Sequence, residues 1–421
     1  MTLAPETVPA HPADGVDVLE LYRAHLGSGR SMLGSVMGGI TEVGSAGAYV
    51  TGADGRRFLD VGGYGVFILG HRHPRVVAAV HDQLDRHPLA TRVFLEPMTA
   101  LAARALAGIA PPGLDQVHFV NSGAEATETA LKLARVHGHD RLVSAVSGYH
   151  GKTLGALSAT ANPLYQRPFE PLAEARTHIP YGDIGAMRET LARLGSRACV
   201  ILEPVQGEGG VVVPPPGYLG EVSAACRQAG AMLVIDEVQT GLGRLGSWWG
   251  IDAEDVEPDL LLVGKGLSGG VVPVAAVLAT KAAYQPFGDD PFLHTSTFGG
   301  SPLASAAALA AITVLRDEHI VTRAASLGDE LLAELNRVAA GFPGMVEQVR
   351  GRGLLIGLKM ADPGLVGEMV LSLVDRDVLA NHSLNAASVL RLTPPAILSP
   401  DELRQCVTAV AESLAEVRDR A

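Results

Sequence analysis

Cysteine is scarce. Only Cys199, Cys226 and Cys406 occur in 421 residues, and none are closely spaced. Neither a disulfide framework nor a zinc knuckle follows from such a set. A basic excess is also missing: 33 Lys plus Arg face 45 Asp plus Glu, a net charge of −12. A nucleic-acid partner needs a basic surface, so none is expected. A cationic substrate fits this balance and is mildly favoured by it. Long apolar runs are absent as well. The longest small-apolar stretch, Pro302 to Leu315, is too short to span a membrane. Thr2 to Pro12 has no apolar h-region, and the first Lys or Arg is Arg23, so no signal peptide is expected. The expectation is a soluble cytoplasmic protein. With 47% hydrophobic and 19% charged residues the chain reads as globular. Its length allows a large core plus a second unit.

The first twenty residues, rich in Pro and Ala, read as a loose arm. Then Gly47 to Gly52 and Arg57 to Val61 flank Ala53-Asp54-Gly55. Asp-Gly between such runs signals a hairpin. From about Pro74 to Leu315, helical patterns alternate with short apolar runs ending in Gly or Asp, the βαβ pattern of a mostly parallel sheet. The tail differs. Leu327 to Ala340 is amphipathic and Leu354 to Met360 reads as a strand. Ser399-Pro400-Asp401-Glu402 opens a last helix with a cap residue, Pro at its first position and Glu three after the cap. The expected organisation is α/β: an arm and part of a small domain over 1–75, a large domain over 76–325, and the rest of the small α+β domain over 326–421.

Chemistry gathers at the ends of the apolar runs. Leu260 to Val263 ends in Gly264-Lys265-Gly266, and Met232 to Ile235 ends in Asp236-Glu237-Val238-Gln239. Val117 to Val120 leads into Asn121-Ser122-Gly123-Ala124-Glu125, the start of a helix. Free N–H groups at a helix start bind phosphate, although an ordinary capped helix reads the same way. Asp236 alone could be a cap or a core ion-pair partner. Lys265 is not placed like a surface lysine, and desolvation would make it a better nucleophile and base. In open α/β sheets ligands bind at the strand C-termini. A lysine able to form a Schiff base, an Asp for a pyridinium nitrogen and a phosphate cradle together describe a pyridoxal phosphate (PLP) site. Tyr149 and His150 offer an aromatic against such a ring, and Val238 lies on the same side of an extended chain as Asp236.

Other patterns fail. Ser147 to Thr153 nearly matches a phosphate-binding P-loop, but its first glycine position is Val146. Gly241 to Gly246 fits GxGxxG yet runs into Ser247-Trp248-Trp249-Gly250 rather than a helix start. His71 and His73 have no carboxylate or Cys cluster beside them, so a turn is expected and no metal site.

The runs NSGAEATETALKLAR, SGYHGKTLGALSATA, ILEPVQGEGG, VIDEVQTGLGR, VGKGLSGG and HTSTFGGSPLA, in this order, resemble the class-III PLP-dependent aminotransferases. The likeness covers nearly the whole chain from about Gly47. It implies the type I PLP-dependent transferase fold and a homodimer or dimer of dimers. It implies that Lys265 carries the cofactor and moves a proton, and that Asp236 pairs with the pyridine nitrogen. Gln239 would bond the 3′ oxygen, Val238 would pack behind the ring and Tyr149 in front of it. Ser122, Gly123 and Ala124 would hold the phosphate with Thr297 of the partner subunit. Arg391 would bind the 2-oxo acid's carboxylate, and Glu208 would cover Arg391 when the donor has no carboxylate near its amine.

Within the family, GGYGVFILGHRHP, RPFEPL, VVVPPPGYL and DPFLHTSTFGGSPLASAAALA resemble the putrescine (diamine) aminotransferases. The implied donor is a terminal primary amine, such as putrescine or cadaverine, and the acceptor a 2-oxo acid. Ser301, Trp248-Trp249 and Asn381 to Val389 depart from the family pattern. Ornithine, 4-aminobutyrate or a specialised-metabolism amine are therefore alternative donors. Rival functions are a non-transaminating PLP reaction on the same fold, a nicotinamide-dependent dehydrogenase, and a protein kept for binding alone.

Overall fold

A computed structural model describes residues 15–172 and 175–420 of the chain. Most of the expected N-terminal arm lies outside the described residues. The centre is a seven-stranded sheet in the order Gln116–Val120, Ala275–Ala279, Leu260–Val263, Met232–Asp236, Ala198–Leu202, Arg141–Ala145, Arg176–Ile179. Ala275–Ala279 runs antiparallel to both its neighbours, and the other pairings are parallel. The sheet is therefore mixed and mostly parallel, as the alternating pattern predicted.

The inner strands are nearly continuous apolar runs because both faces are covered. Leu233 and Ile235 face one core with Leu261, Val263, Tyr218 and Val222. Met232 and Val234 face the other, with Leu260, Leu262 and the helix residues Ala126, Ala130, Leu133 and Ala134. Successive side chains on a strand point to opposite faces, so one short run supplies both layers. The three cysteines are free and buried, Cys199 and Cys226 in these layers and Cys406 on the inner face of the last helix. Among the described residues no helix is long and apolar enough to cross a membrane.

A smaller unit joins both chain ends. The expected hairpin pairs Tyr49–Gly52 with Arg57–Asp60, and Arg57–Asp60 then pairs in parallel with Val378–Leu379. A separate antiparallel sheet contains Val346–Arg352, Leu355–Met360, Ala386–Leu392 and Asn381–Ser383. The last helix, Pro400–Arg420, starts as its sequence demands. The Ser399 Oγ accepts from the Glu402 N–H at 3.3 Å, and Glu402 accepts in return from the Ser399 N–H at 2.7 Å.

Candidate active site

Five segments leave the C-terminal edge of the central sheet and surround one cavity of about 490 Å³. That is the usual size for a cofactor or small-molecule site. Ser122, Gly123, Ala124, Tyr149, His150, Glu208, Asp236, Val238, Gln239 and Lys265 all line it.

The helix Gly123–Val136 is fixed by a two-way cap. The Ser122 Oγ accepts from the Glu125 N–H at 3.2 Å, while Glu125 folds back to accept from the Asn121 N–H at 2.7 Å. The Gly123 and Ala124 N–H groups have no protein acceptor among the described residues. They are free donors at the positive end of a helix dipole, the chemistry that binds phosphate. Gly123 is needed here for space, because a Cβ on it would lie 2.8 Å from Val238 Cγ1.

Asp236 ends its strand and turns both oxygens to use. Its Oδ1 accepts from the Val238 N–H at 3.0 Å, and its Oδ2 lies 2.7 Å from His150 Nδ1. Burial disfavours the charged His150 ring. The hydrogen bond and charge of Asp236, with Glu203 behind, outweigh burial and hold the His150 pKa above its ordinary value. His150 thus abuts Asp236, so its position in the cavity wall is that of a buttress as well as an aromatic.

Gln239 is fixed by an Nε2 donation to the Tyr64 carbonyl at 3.3 Å, and its Oε1 is buried with no partner. An orphaned buried amide oxygen calls for a ligand group. The chain leaves it room only because residue 207 is glycine: a Cβ there would fall 1.5 Å from that oxygen.

Lys265 opens a short 3₁₀ turn, Lys265–Ser268, with φ 44°. A non-glycine residue in the left-handed region is strained, and such strain clusters at functional sites. Among the described residues nothing hydrogen-bonds or pairs with its ammonium. Burial pulls its pKa below the ordinary value; Glu208 opposes this and Arg391 adds to it. An unpartnered, desolvated amine is more readily neutral and nucleophilic.

Glu208 and Arg391, far apart in sequence, form a buried ion pair with Oε1 2.5 Å from Nη1. Their side chains are 5% and 0% exposed, so the glutamate faces the cavity and the arginine lies hidden behind it. Nε and Nη2 of Arg391 have no hydrogen-bond partner. Burial would raise the Glu208 pKa. The charges of Arg391 and Lys265 and the Leu384 N–H outweigh it and hold the pKa below its ordinary value.

Sequence reading missed Glu203. It accepts from the Tyr149 N–H at 2.9 Å and the Gly207 N–H at 3.2 Å, and it lines the cavity. Burial pushes its carboxyl up to about 7, with His150 opposing. The signal was present, since Glu203 ends the apolar run Ala198–Leu202 just as Asp236 ends its own. Two expected site residues do not line this cavity: Arg391, buried behind Glu208, and Thr297, which is exposed on the loop before Pro302–Asp317. Trp249 does not reach the site either. It is buried in the main core and donates from Nε1 to the Ile109 carbonyl at 2.6 Å. The GxGxxG run is a loop whose Arg244 is buried and donates to the Pro394 carbonyl at 2.5 Å.

The family model for aminotransferase class-III matches residues 37–414. The chain belongs to the class-III aminotransferases. Among solved structures, ornithine aminotransferase from Toxoplasma gondii is 33% identical, with a TM-score of 0.86 over 96% of this chain and 99% of that one. An (S)-enantioselective omega-transaminase from Thermomicrobium roseum is 31% identical, with a TM-score of 0.84 over 90% and 93% of the two chains. An adenosylmethionine-8-amino-7-oxononanoate aminotransferase from Methanocaldococcus jannaschii is 27% identical, with a TM-score of 0.84 over 90% and 93%. This class-III aminotransferase is accordingly a PLP-dependent enzyme with the type I PLP transferase fold. The cavity suits that cofactor, with free helix-start N–H groups, a buried carboxylate, an orphaned amide oxygen and an unpaired lysine.

Proposed function

We propose that the enzyme moves an amino group from a terminal primary amine to a 2-oxo acid, the donor being a diamine such as putrescine or cadaverine. The observation that carries this reading is Glu208 covering Arg391 at the cavity wall. A donor without a carboxylate beside its amine then meets no bare guanidinium, and a cationic chain end meets an anion. When bound, PLP supplies the electron sink that stabilises negative charge on the substrate carbon. Lys265 Nζ would bear the cofactor and, once displaced by the donor amine, would move the proton from the donor carbon to the cofactor carbon that had borne the lysine. Asp236, buttressed by His150, would face the ring nitrogen. Val238 and Tyr149 would flank the ring, and Gln239 would meet its 3′ oxygen. The Ser122, Gly123 and Ala124 segment would hold the phosphate. Arg391 binds the acceptor's carboxylate once Glu208 swings aside. Ornithine is a second donor to weigh, favoured by the 33% identity to an ornithine aminotransferase; it too offers a terminal amine.

A screen of diamines, ornithine, 4-aminobutyrate and α-amino acids against 2-oxoglutarate and pyruvate tests the reading. If α-amino acids without a terminal amine lead by tenfold or more, about 1.4 kcal/mol of transition-state preference, the terminal-amine proposal is wrong. Glu208→Ala sharpens the test. With Arg391 left uncovered, kcat/KM for terminal amines should fall by about tenfold or more, because an unpaired buried charge is costly. Donors with an α-carboxylate should lose less or gain. An equal loss for both donor classes would contradict the role given to Glu208.

We also propose a homodimer as the working unit. Thr297 is exposed, as are Phe292 and Phe298 on the same loop and Val93, Phe94 and Leu95 beside Arg92, which donates to the Gly299 carbonyl at 2.9 Å. Mixing Lys265→Ala protein with Thr297→Ala protein tests whether Thr297 serves the neighbour's phosphate. In a mixed dimer one site is then doubly damaged and the other intact. With free exchange about a quarter of all sites become intact, since half the dimers are mixed. Activity should rise above that of the unmixed proteins. No rise despite demonstrated exchange would remove Thr297 from the neighbour's site.

A further inference from the structure

Glu208 is held at both oxygens. Oε1 meets Arg391, and Oε2 accepts the Leu384 N–H at 2.9 Å. Leu384 and Asn385 form the turn between Asn381–Ser383 and Ala386–Leu392, the strand that carries Arg391. The same turn grips the Glu208 backbone, because the Asn385 N–H donates to the Glu208 carbonyl at 2.9 Å. A loop that holds the glutamate closed must itself be held. Asn385 does this with its side chain. Its Nδ2 donates to the Ser147 and Gly148 carbonyls at 3.0 and 3.1 Å, just before Tyr149, and its Oδ1 accepts from Asn162 Nδ2 at 2.9 Å. The Tyr165 hydroxyl donates to the Leu384 carbonyl at 3.2 Å. Neither Leu384 nor Asn385 lines the cavity.

We infer that Asn385 is a specificity-determining positioning residue, which sets how firmly Glu208 stays over Arg391 by anchoring the Leu384 N–H to the Tyr149 segment. The inference rests on the proposed reading of the Glu208–Arg391 pair. Its physical content is an equilibrium. Glu208 covering Arg391 suits the terminal amine, and Glu208 withdrawn suits the 2-oxo acid. A ligand gains or loses apparent affinity by the fraction of enzyme in its competent state. Loosening the turn shifts that fraction toward the withdrawn state.

The test uses the holoenzyme with the terminal amines and oxo acids of the screen above. Asn385→Ala should raise KM for the amine and lower KM for 2-oxoglutarate, each by about three- to tenfold, the worth of one or two neutral hydrogen bonds. Opposite movement is the signature, since mere damage to the fold would worsen both. Asn385→Asp keeps the acceptor toward Asn162 but sets a carboxylate against the Ser147 and Gly148 carbonyls, so it should shift both constants in the same senses and further. In a Glu208→Ala background, Asn385→Ala should move neither constant beyond error, because the group it positions is gone. Both constants changing in one direction, or the same shift without Glu208, overturns the role of Asn385 alone. A wild-type preference for α-amino acids without a terminal amine overturns the proposed function and this inference together.

Discussion

Lys265→Ala is expected to bring turnover to background and abolish the absorbance of lysine-bound cofactor, while the fold and its melting temperature hardly change. Positioned proton transfer alone contributes about 10²–10⁴-fold, and loss of the covalent anchor adds to that. The stability half of the expectation follows from the site. The ammonium is desolvated and unpaired among the described residues, so its removal breaks no ion pair. The backbone stays at φ 44° whether the residue is Lys or Ala, so the local strain is unchanged. The apoprotein should therefore melt within a few degrees of the wild type, a shift of about 1 kcal/mol or less. Near wild-type turnover in Lys265→Ala would sink the assignment. Lost activity with a collapsed melting temperature would instead make Lys265 a structural residue.

The inner strands of the central sheet were legible because they are buried on both faces. Runs such as Met232–Asp236 and Leu260–Val263 contain no polar residue before their last position, so each polar residue at an end stands out. Lys265, Asp236 and the Ser122 cap were visible for that reason. Glu203 was equally visible in principle, but it was read only as part of a motif. What the sequence hid depends on parts meeting across the fold. The Leu384 N–H reaches Glu208 only because the small sheet packs against the loop after Ala198–Leu202. His150 reaches Asp236 because Arg141–Ala145 and Met232–Asp236 both border Ala198–Leu202. Local patterning carries no trace of such contacts. Trp248 and Trp249 show the opposite failure. Their bulk hinted at substrate selection, yet Trp249 fills core beside Ile109 and lines no part of the cavity.

Asp236→Asn should lose at least about a hundredfold in kcat/KM and retain cofactor poorly. Removing one positioned electrostatic group commonly costs that much. The geometry says why the amide cannot stand in. Asp236 accepts twice, from the Val238 N–H at 3.0 Å and from His150 Nδ1 at 2.7 Å. Asparagine keeps one acceptor and gains a donor. If its oxygen serves Val238, its NH₂ faces His150, and the ring must then present a bare nitrogen rather than an N–H. The carboxylate charge that holds the His150 pKa up is also gone, so that pKa should fall. Two consequences separate this from simple misfolding. The histidine titration, followed by NMR, should move to lower pH in the apoprotein. Asp236→Asn should also cost more activity than His150→Asn, because on the proposed reading the first removes the group that would face the cofactor nitrogen and the second only its support. A loss of a few fold for Asp236→Asn, or a larger loss for His150→Asn, would transfer the electrostatic role away from Asp236.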